Sequence, residues 1–248
     1  MKIKKRLDQL LLERYPHLSR SYVQSLIMQG KVCVEQQVIT KPGTPIVETA
    51  AIDINQVEPK FVSRAGYKLE AALAHFAVPV FQAVVLDAGL STGGFTDCLL
   101  QQGAARIYGV DVGYGQVHEK IRKDPRVVIM ERTNLRLLDS LPELIDGVTL
   151  DLSFISILKV IDSVQRLLKK TGWLVTLIKP QFEAERDQVG SGGIVRDPAV
   201  HASVVQRVCK GIEAAGFICR GVIDSPIHGT DGNKEFLAFF QKKGFLDL

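Results

Sequence analysis

VVLDAGLSTGGFTDCLL, residues 84–100, contains an apolar strand, a carboxylate, a glycine turn and the start of a helix. Val84–Leu86 is an uninterrupted apolar run, so it reads as a buried strand that ends at Asp87. Gly89, Gly93 and Gly94 supply the turn, and Phe95-Thr96-Asp97 leads into the helix. Glycines let a backbone approach a ligand closely, and free amides at a helix start favour polar ligand groups. The loop lacks the G-x-G-x-x-G spacing of a dinucleotide site and the Lys-Ser/Thr pair of a P-loop. A carboxylate at the strand end repels a pyrophosphate but suits the cationic amino-acid end of S-adenosylmethionine. Asp87, Gly89, Ser91, Thr92, Gly93, Gly94, Phe95 and Thr96 are therefore the expected loop for that cofactor.

Outward from this loop the pattern repeats. Apolar, β-branched runs recur at RIYGVDV (106–112), RVVIME (126–131), GVTLDL (147–152) and WLVTLIK (173–179), with room for helices between them. That alternation predicts a parallel sheet covered on both faces. FICRGVIDSP (217–226) and KEFLAFFQKK (234–243) have only a glycine-containing loop between them, which predicts an antiparallel hairpin at the sheet edge. The expected fold class is α/β: a mostly parallel seven-stranded sheet ending in a hairpin, the methyltransferase variant of the Rossmann-like fold. Asp111 ends the second strand of the series, where a carboxylate can accept from both ribose hydroxyls. Thr133 and Asn134 follow the third and would edge an adenine pocket.

The first 60 residues read differently. Lys2, Lys4, Lys5 and Arg6 precede any acidic residue, and Leu7, Leu10 and Leu11 follow at helical spacing. SRSYVQSLIMQG (19–30) offers Ser19 as an N-cap and Gly30 as a stop. KVCVEQQVITKPGTPI (31–46) alternates apolar and polar residues around Pro-Gly, as short strands with a turn do. Two domains are expected, a small α+β module at 1–60 and a catalytic domain at 61–248, with a hinge near Val57–Ser63. The net charge of +4 argues only weakly for a polyanion, but the clustered cations, including the later Arg64 and Lys68, argue for it more strongly. Cys33, Cys98, Cys209 and Cys219 form no C-x-x-C pair and the five histidines no ligand-spaced cluster, so free thiols in a reducing cytoplasm and no metal are expected. No apolar run approaches the roughly 18 residues that span a bilayer, and the N-terminus is too polar for a signal peptide.

The order basic-Arg-Leu-Asp, Ser-Arg-Ser, Gly-Lys-Val-x-Val and Lys-Pro-Gly resembles the RNA-binding module named after ribosomal protein S-four. The resemblance implies that Lys5, Arg6, Arg20 and Lys31 meet RNA phosphates, and Arg64 joins them as part of the later basic run. Val34-Glu35-Gln36 departs from the family's usual Val-Asn-Gly turn. In the second domain Lys68 lies in SRAGYKL, Asp151 in LDLSFIS, Lys179 in KPQFE and Glu235 in NKEFLAFF. This set resembles the Lys-Asp-Lys-Glu tetrad of FtsJ-type 2′-O-ribose methyltransferases. With STGGFTDCLL, ERTN and GGIVRD added, the whole chain resembles the TlyA (hemolysin A-like) family of ribosomal-RNA methyltransferases, apart from Ala65 where glycine is usual.

The resemblance implies S-adenosylmethionine as cofactor and ribosomal RNA or ribosomal subunits as partner. Lys179 would be the base toward a ribose 2′-hydroxyl, and Lys68 a second cation beside it that eases deprotonation and orients the hydroxyl. Asp151 and Glu235 would position the lysines, with Asp151 also beside the methyl donor. Glu183–Arg196, polar and glycine-rich, is expected to be a mobile loop that closes over RNA or cofactor. The alternatives are an RNA-binding assembly factor with weak or no methyl transfer, against which the intact tetrad argues, and a membrane-active hemolysin, for which no lytic helix or span is present. A base methyltransferase would carry an Asn-Pro-Pro-Tyr loop or a cysteine after the fourth strand, and LDLSF has neither.

Overall fold

The computed structural model describes residues 4–16, 18–54, 59–229 and 232–244. The chain divides into two compact units, Met1–Lys60 and Phe61–Leu248. Lys2 of the basic opening and Val57 of the expected hinge lie outside the described residues.

The first unit runs β1 (Lys4–Arg6), α1 (Leu7–Arg14), α2 (Arg20–Met28), β2 (Val32–Val34), β3 (Gln37–Val38), β4 (Pro45–Val47) and β5 (Ile52–Ile54). Leu7, Leu10 and Leu11 of α1 pack against Val23, Leu26 and Ile27 of α2, so the helical spacing in the sequence becomes the core. Ser19 accepts the Tyr22 N–H as the N-cap of α2, and Gly30 at φ +69° ends it. β2 pairs with both β3 and β5, and β1 with β4, all antiparallel. Between β2 and β3, Glu35 and Gln36 take φ values of +48° and +67°. Two positive φ angles are what a two-residue hairpin requires, and Asn-Gly is the usual way to meet it. The departure from that motif therefore keeps the turn and carries backbone strain of about 1 kcal/mol per residue. Part of it is offset where the Glu35 carboxylate accepts the Ala51 N–H at 2.9 Å.

The second unit runs α3 (Ala65–Phe76), β6 (Val84–Ala88), α4 (Gly94–Gln101), β7 (Arg106–Val110), α5 (Glu119–Arg122), β8 (Val127–Met130), β9 (Ile145–Leu150), α6 (Ile161–Leu167), β10 (Leu168–Ile178), α7 (Pro180–Glu183), α8 (Pro198–Ala214), β11 (Phe217–Asp224) and β12 (Phe236–Lys242). The strand order is β11-β12-β10-β9-β6-β7-β8. β6 to β10 are parallel, and β12 is antiparallel to both β10 and β11, as the sequence pattern predicts. Successive strand residues face opposite sides. Val85, Ile107 and Val175 meet α3 and α4 on one face, while Leu86, Tyr108 and Leu174 meet α6 and α8 on the other. The chain reverses direction through the sheet between β6 and β9, and open α/β sheets bind ligands beyond the carboxyl ends of strands at such a point.

Replacing Gln36 by Gly should relieve the left-handed strain. Hydrogen exchange across the β2–β3 hairpin of the full chain is expected to slow about fivefold, for roughly 1 kcal/mol gained. Unchanged or faster exchange would show that the turn is not strained.

Candidate active site and cofactor cleft

Two clefts open at the carboxyl ends of β6 and β9 and share a wall. The first, of about 530 Å³, is bounded by the turn after β6, the segment after β7, Thr133-Asn134 after β8, and Asp151–Ile155 after β9. The second, of about 310 Å³, is bounded by Ser63–Ala65, Lys68, Lys179, Ile227, His228 and Glu235. Gly89, Ser91, Asp151 and Ser153 line both.

Gly89 makes the shared wall possible. It sits at φ +86°, and a Cβ there would lie 2.2 Å from the Asp151 carbonyl oxygen. The Asp151 N–H in turn donates to the Ala88 carbonyl at 3.0 Å. Asp111 follows β7 and accepts the Ser91 and Gly113 N–H groups, one on each oxygen, at 2.7 Å apiece. Those bonds fix the carboxylate against the cleft and leave each oxygen a further lone pair. Asn134 caps the helical turn Leu135–Leu137 by accepting the Arg136 N–H at 3.0 Å, and lines the cleft beside Thr133. Asp111 and Asp151 are the charged side chains of the first cleft, and no lysine or arginine lines it.

The other residues expected to hold a cofactor frame the loop from behind. Asp87 is fully buried and does not face the cleft. Its oxygens accept the Thr96 hydroxyl at 2.6 Å and the Thr149 hydroxyl at 2.9 Å, tying β6 to α4 and β9. Side chains alternate along a strand, so Asp87 points into the sheet face opposite Thr149, its partner in register. Burial pushes Asp87 up to about 6, with the Asp151 charge adding, against the two hydroxyl bonds that favour the charged form. Phe95 is in the core, Gly93 packs on Ile121, and Gly94 lies against Ser63 and Ala65. Thr92 is exposed, and its carbonyl accepts the His118 N–H.

The four residues of the tetrad are brought to the second cleft, in two ion pairs. Lys68 Nζ lies 2.5 Å from Glu235 Oε2, both side chains buried. Lys179 Nζ lies 2.7 Å from Asp151 Oδ1 and donates to Ser153 Oγ at 3.0 Å. Each lysine thus faces its own carboxylate, Lys68 that of Glu235 and Lys179 that of Asp151. Ser153 was not singled out in the sequence, although it lies two residues after Asp151 in the conspicuous LDLSFIS. Glu183 was missed as well: buried, it accepts the Ile157 N–H at 2.7 Å and the Ser156 hydroxyl at 2.8 Å, pinning the segment after β9 to α7. Burial raises its proton affinity above the ordinary carboxylate range. The segment expected to be mobile, Glu183–Arg196, is tied down at its far end: buried Asn233 accepts the Val195 N–H and donates to the Gly193 carbonyl, both at 3.0 Å.

In the first unit the expected RNA contacts separate into two kinds. Lys5 is paired with Glu13 at 2.8 Å and Glu48 at 2.6 Å. Arg6 is paired with buried Asp8 at 2.8 Å, and its guanidinium holds that carboxyl down at about 2. Both cations are ion-paired at the surface, with Arg6 exposed and Lys5 partly so. Arg20 opens α2 and Lys31 follows it, and neither makes an ion pair among the described residues. No group of histidine, cysteine or acidic residues that could hold a metal is present among the described residues, and no helix there is long and apolar enough to cross a membrane.

The strand order with its terminal antiparallel strand, and an acidic cleft abutting a lysine-carboxylate cleft, define a methyltransferase-type α/β domain. Residues 61–242 match the FtsJ-like methyltransferase family and residues 5–52 the S4 domain. The chain belongs to the FtsJ-like methyltransferase family. It is 45% identical over 237 residues to a candidate rRNA methyltransferase, YqxC, of Bacillus subtilis, covering 94% of this chain and 84% of that one. It is 41% identical over 241 residues to the 16S/23S rRNA (cytidine-2'-O)-methyltransferase TlyA of Mycobacterium tuberculosis, covering 95% and 89%. A candidate hemolysin of solved structure from Streptococcus thermophilus superposes with a TM-score of 0.76 at 36% identity, covering 100% of this chain and 93% of that one.

Asp87 sets a pH dependence of stability. The folded state holds its proton more tightly than the unfolded chain, whose value is near 3.8. Its contribution is therefore full below that value and is lost as pH rises through about 6, on the order of 3 kcal/mol. Denaturant unfolding of Asp87→Asn across pH 4 to 7 is expected to lack this fall. An unaltered profile would mean that another group titrates.

Proposed function

We propose that the chain transfers the methyl group of S-adenosylmethionine to a ribose 2′-hydroxyl of ribosomal RNA. The observation that carries this reading is the shared wall: an acidic cleft and a paired-lysine cleft meet at Gly89, Ser91, Asp151 and Ser153. The first cleft suits the cofactor on chemistry. Asp111 has only backbone N–H partners there, and no lysine or arginine among the described residues lines the cleft, which favours a cationic ligand over a phosphate-bearing one. Asp111 would take the ribose hydroxyls, Thr133 and Asn134 the adenine edge, and Gly89 and Ser91 the amino-acid end, with Asp87, Gly93, Gly94, Phe95 and Thr96 shaping the turn. When bound, the cofactor supplies an electrophilic methyl group.

The residues of the second cleft do the rest. Asp151 and Ser153 hold Lys179 Nζ at the wall between the clefts, where a 2′-hydroxyl must lie to meet that methyl in line. Lys179 Nζ would accept the hydroxyl proton as the new O–C bond forms and the donor's S–CH3 bond breaks. Lys68, fixed by Glu235, donates a hydrogen bond that orients the hydroxyl. Holding both reactants in line supplies much of the rate. Arg20 and Lys31 of the S4 unit, and Arg64 at the second cleft, supply phosphate contacts to the RNA. The names of the B. subtilis and M. tuberculosis relatives support ribosomal RNA as the substrate.

The test is transfer of labelled methyl from S-adenosylmethionine to ribosomal subunits and to naked rRNA. Lys179→Ala is expected to lower kcat by roughly 10²- to 10⁴-fold with cofactor affinity unchanged. Absence of incorporation by the wild type despite tight cofactor binding would favour an RNA-binding assembly factor.

A further inference from the structure

The charges of the second cleft are arranged in two layers. At its floor every cation is matched: Lys68 by Glu235 and Lys179 by Asp151. At its rim stand two exposed basic side chains, Arg64 and His228, neither of which makes a hydrogen bond or ion pair with a described residue. They come from separate elements. Arg64 immediately precedes α3, while His228 lies in the loop between β11 and β12 that also delivers Glu235.

The loop bearing His228 is held in place. The Gly229 N–H donates to the Asn233 carbonyl at 2.9 Å, and a Cβ on Gly229 would lie 2.5 Å from Glu235 Oε1. The Ser225 N–H donates to the Glu235 carbonyl at 2.9 Å. The same backbone that seats the Lys68–Glu235 pair thus fixes His228 at the rim.

We infer that His228 is a phosphate contact of the RNA substrate, paired with Arg64 across the cleft mouth. An internal nucleotide of an RNA strand presents a neutral ribose with an anionic phosphate on either side. A charge-matched floor suits the ribose, because an unpaired cation there would hold a phosphate instead. Unpaired donors at the rim suit the phosphates, and an imidazole has a ring N–H to donate in either neutral tautomer. The site so built takes a nucleotide within a strand, not a free nucleoside. This rests on the reading of the second cleft as the ribose site, and it adds a residue that the motif resemblance does not assign.

The experiment is filter binding of naked rRNA to the full-length chain, with S-adenosylhomocysteine present, for wild type, Arg64→Ala, His228→Ala and His228→Arg. Each alanine variant is expected to weaken RNA affinity by about tenfold, the loss of one hydrogen bond to a charged group. His228→Arg should restore it, and affinity for S-adenosylhomocysteine should not move in any variant. In methyl transfer to the same RNA, His228→Ala should raise KM with kcat held, as expected for a contact made equally in ground and transition states. RNA affinity that His228→Ala leaves unchanged would overturn the inference whether or not the wild type transfers methyl. Weakened binding with no transfer by the wild type would keep the rim contact and remove the catalytic reading.

Discussion

The turn after β6 and the end of β9 approach so closely that only a hydrogen fits between Gly89 and the Asp151 carbonyl. Parallel pairing of β6 with β9 forces this approach, since Ala88 lies opposite Leu150 in the ladder and the next residues must diverge around whatever occupies the crevice. Because they diverge as a single wall, one thin partition separates the two clefts. A side chain at Gly89 would push the strand ends apart and break the continuity of the wall. The geometry of the site is therefore set by a backbone contact, and the functional side chains are hung upon it.

Charge is distributed about that partition with a consistent logic. Asp111 faces the first cleft without an ion pair, matched pairs fill the floor of the second, and two bases that make no ion pair among the described residues, Arg64 and His228, stand at its rim. Glu183 and Asn233 carry none of this chemistry themselves, yet each satisfies backbone or side-chain groups that would otherwise leave the segments bearing Ser153 and Glu235 unsupported. Burial of polar groups is tolerated here because their partners are supplied. Asp87 is the extreme case, a buried carboxyl whose two hydroxyl bonds do not outweigh its loss of solvent.

The S4 unit applies the same economy to a small core. Lys5 and Arg6 hold β1 and α1 to their neighbours, while Arg20 at the start of α2 and Lys31 after its end make no ion pair among the described residues. Its hairpin keeps a glycine-type turn without glycine, so here geometry is retained against local preference.

Much of this was legible in the chain itself. Buried strands announce themselves as β-branched runs, so Val84–Leu86 and its successors, the terminal hairpin and the capped helix after Ser19 could be read directly. So could Asp111, Asp151 and Lys179, because a charge ending an apolar run must sit at a strand's mouth. The side to which such a charge points could not be read. Asp87 and Asp151 stand alike in sequence, each closing an apolar run, yet one faces Thr149 inside the sheet and the other faces the clefts. Strand side chains alternate, so a single residue's phase at the strand end, set by register with a neighbour more than 60 positions away, decides between them. Likewise Glu13 and Glu48, which take up Lys5, and Glu235, which takes up Lys68, become partners only through folding. The sequence by itself determined which elements form and which chemical groups stand at their ends. Tertiary structure alone decided which of those groups meet, because pairing depends on distance in space and not along the chain.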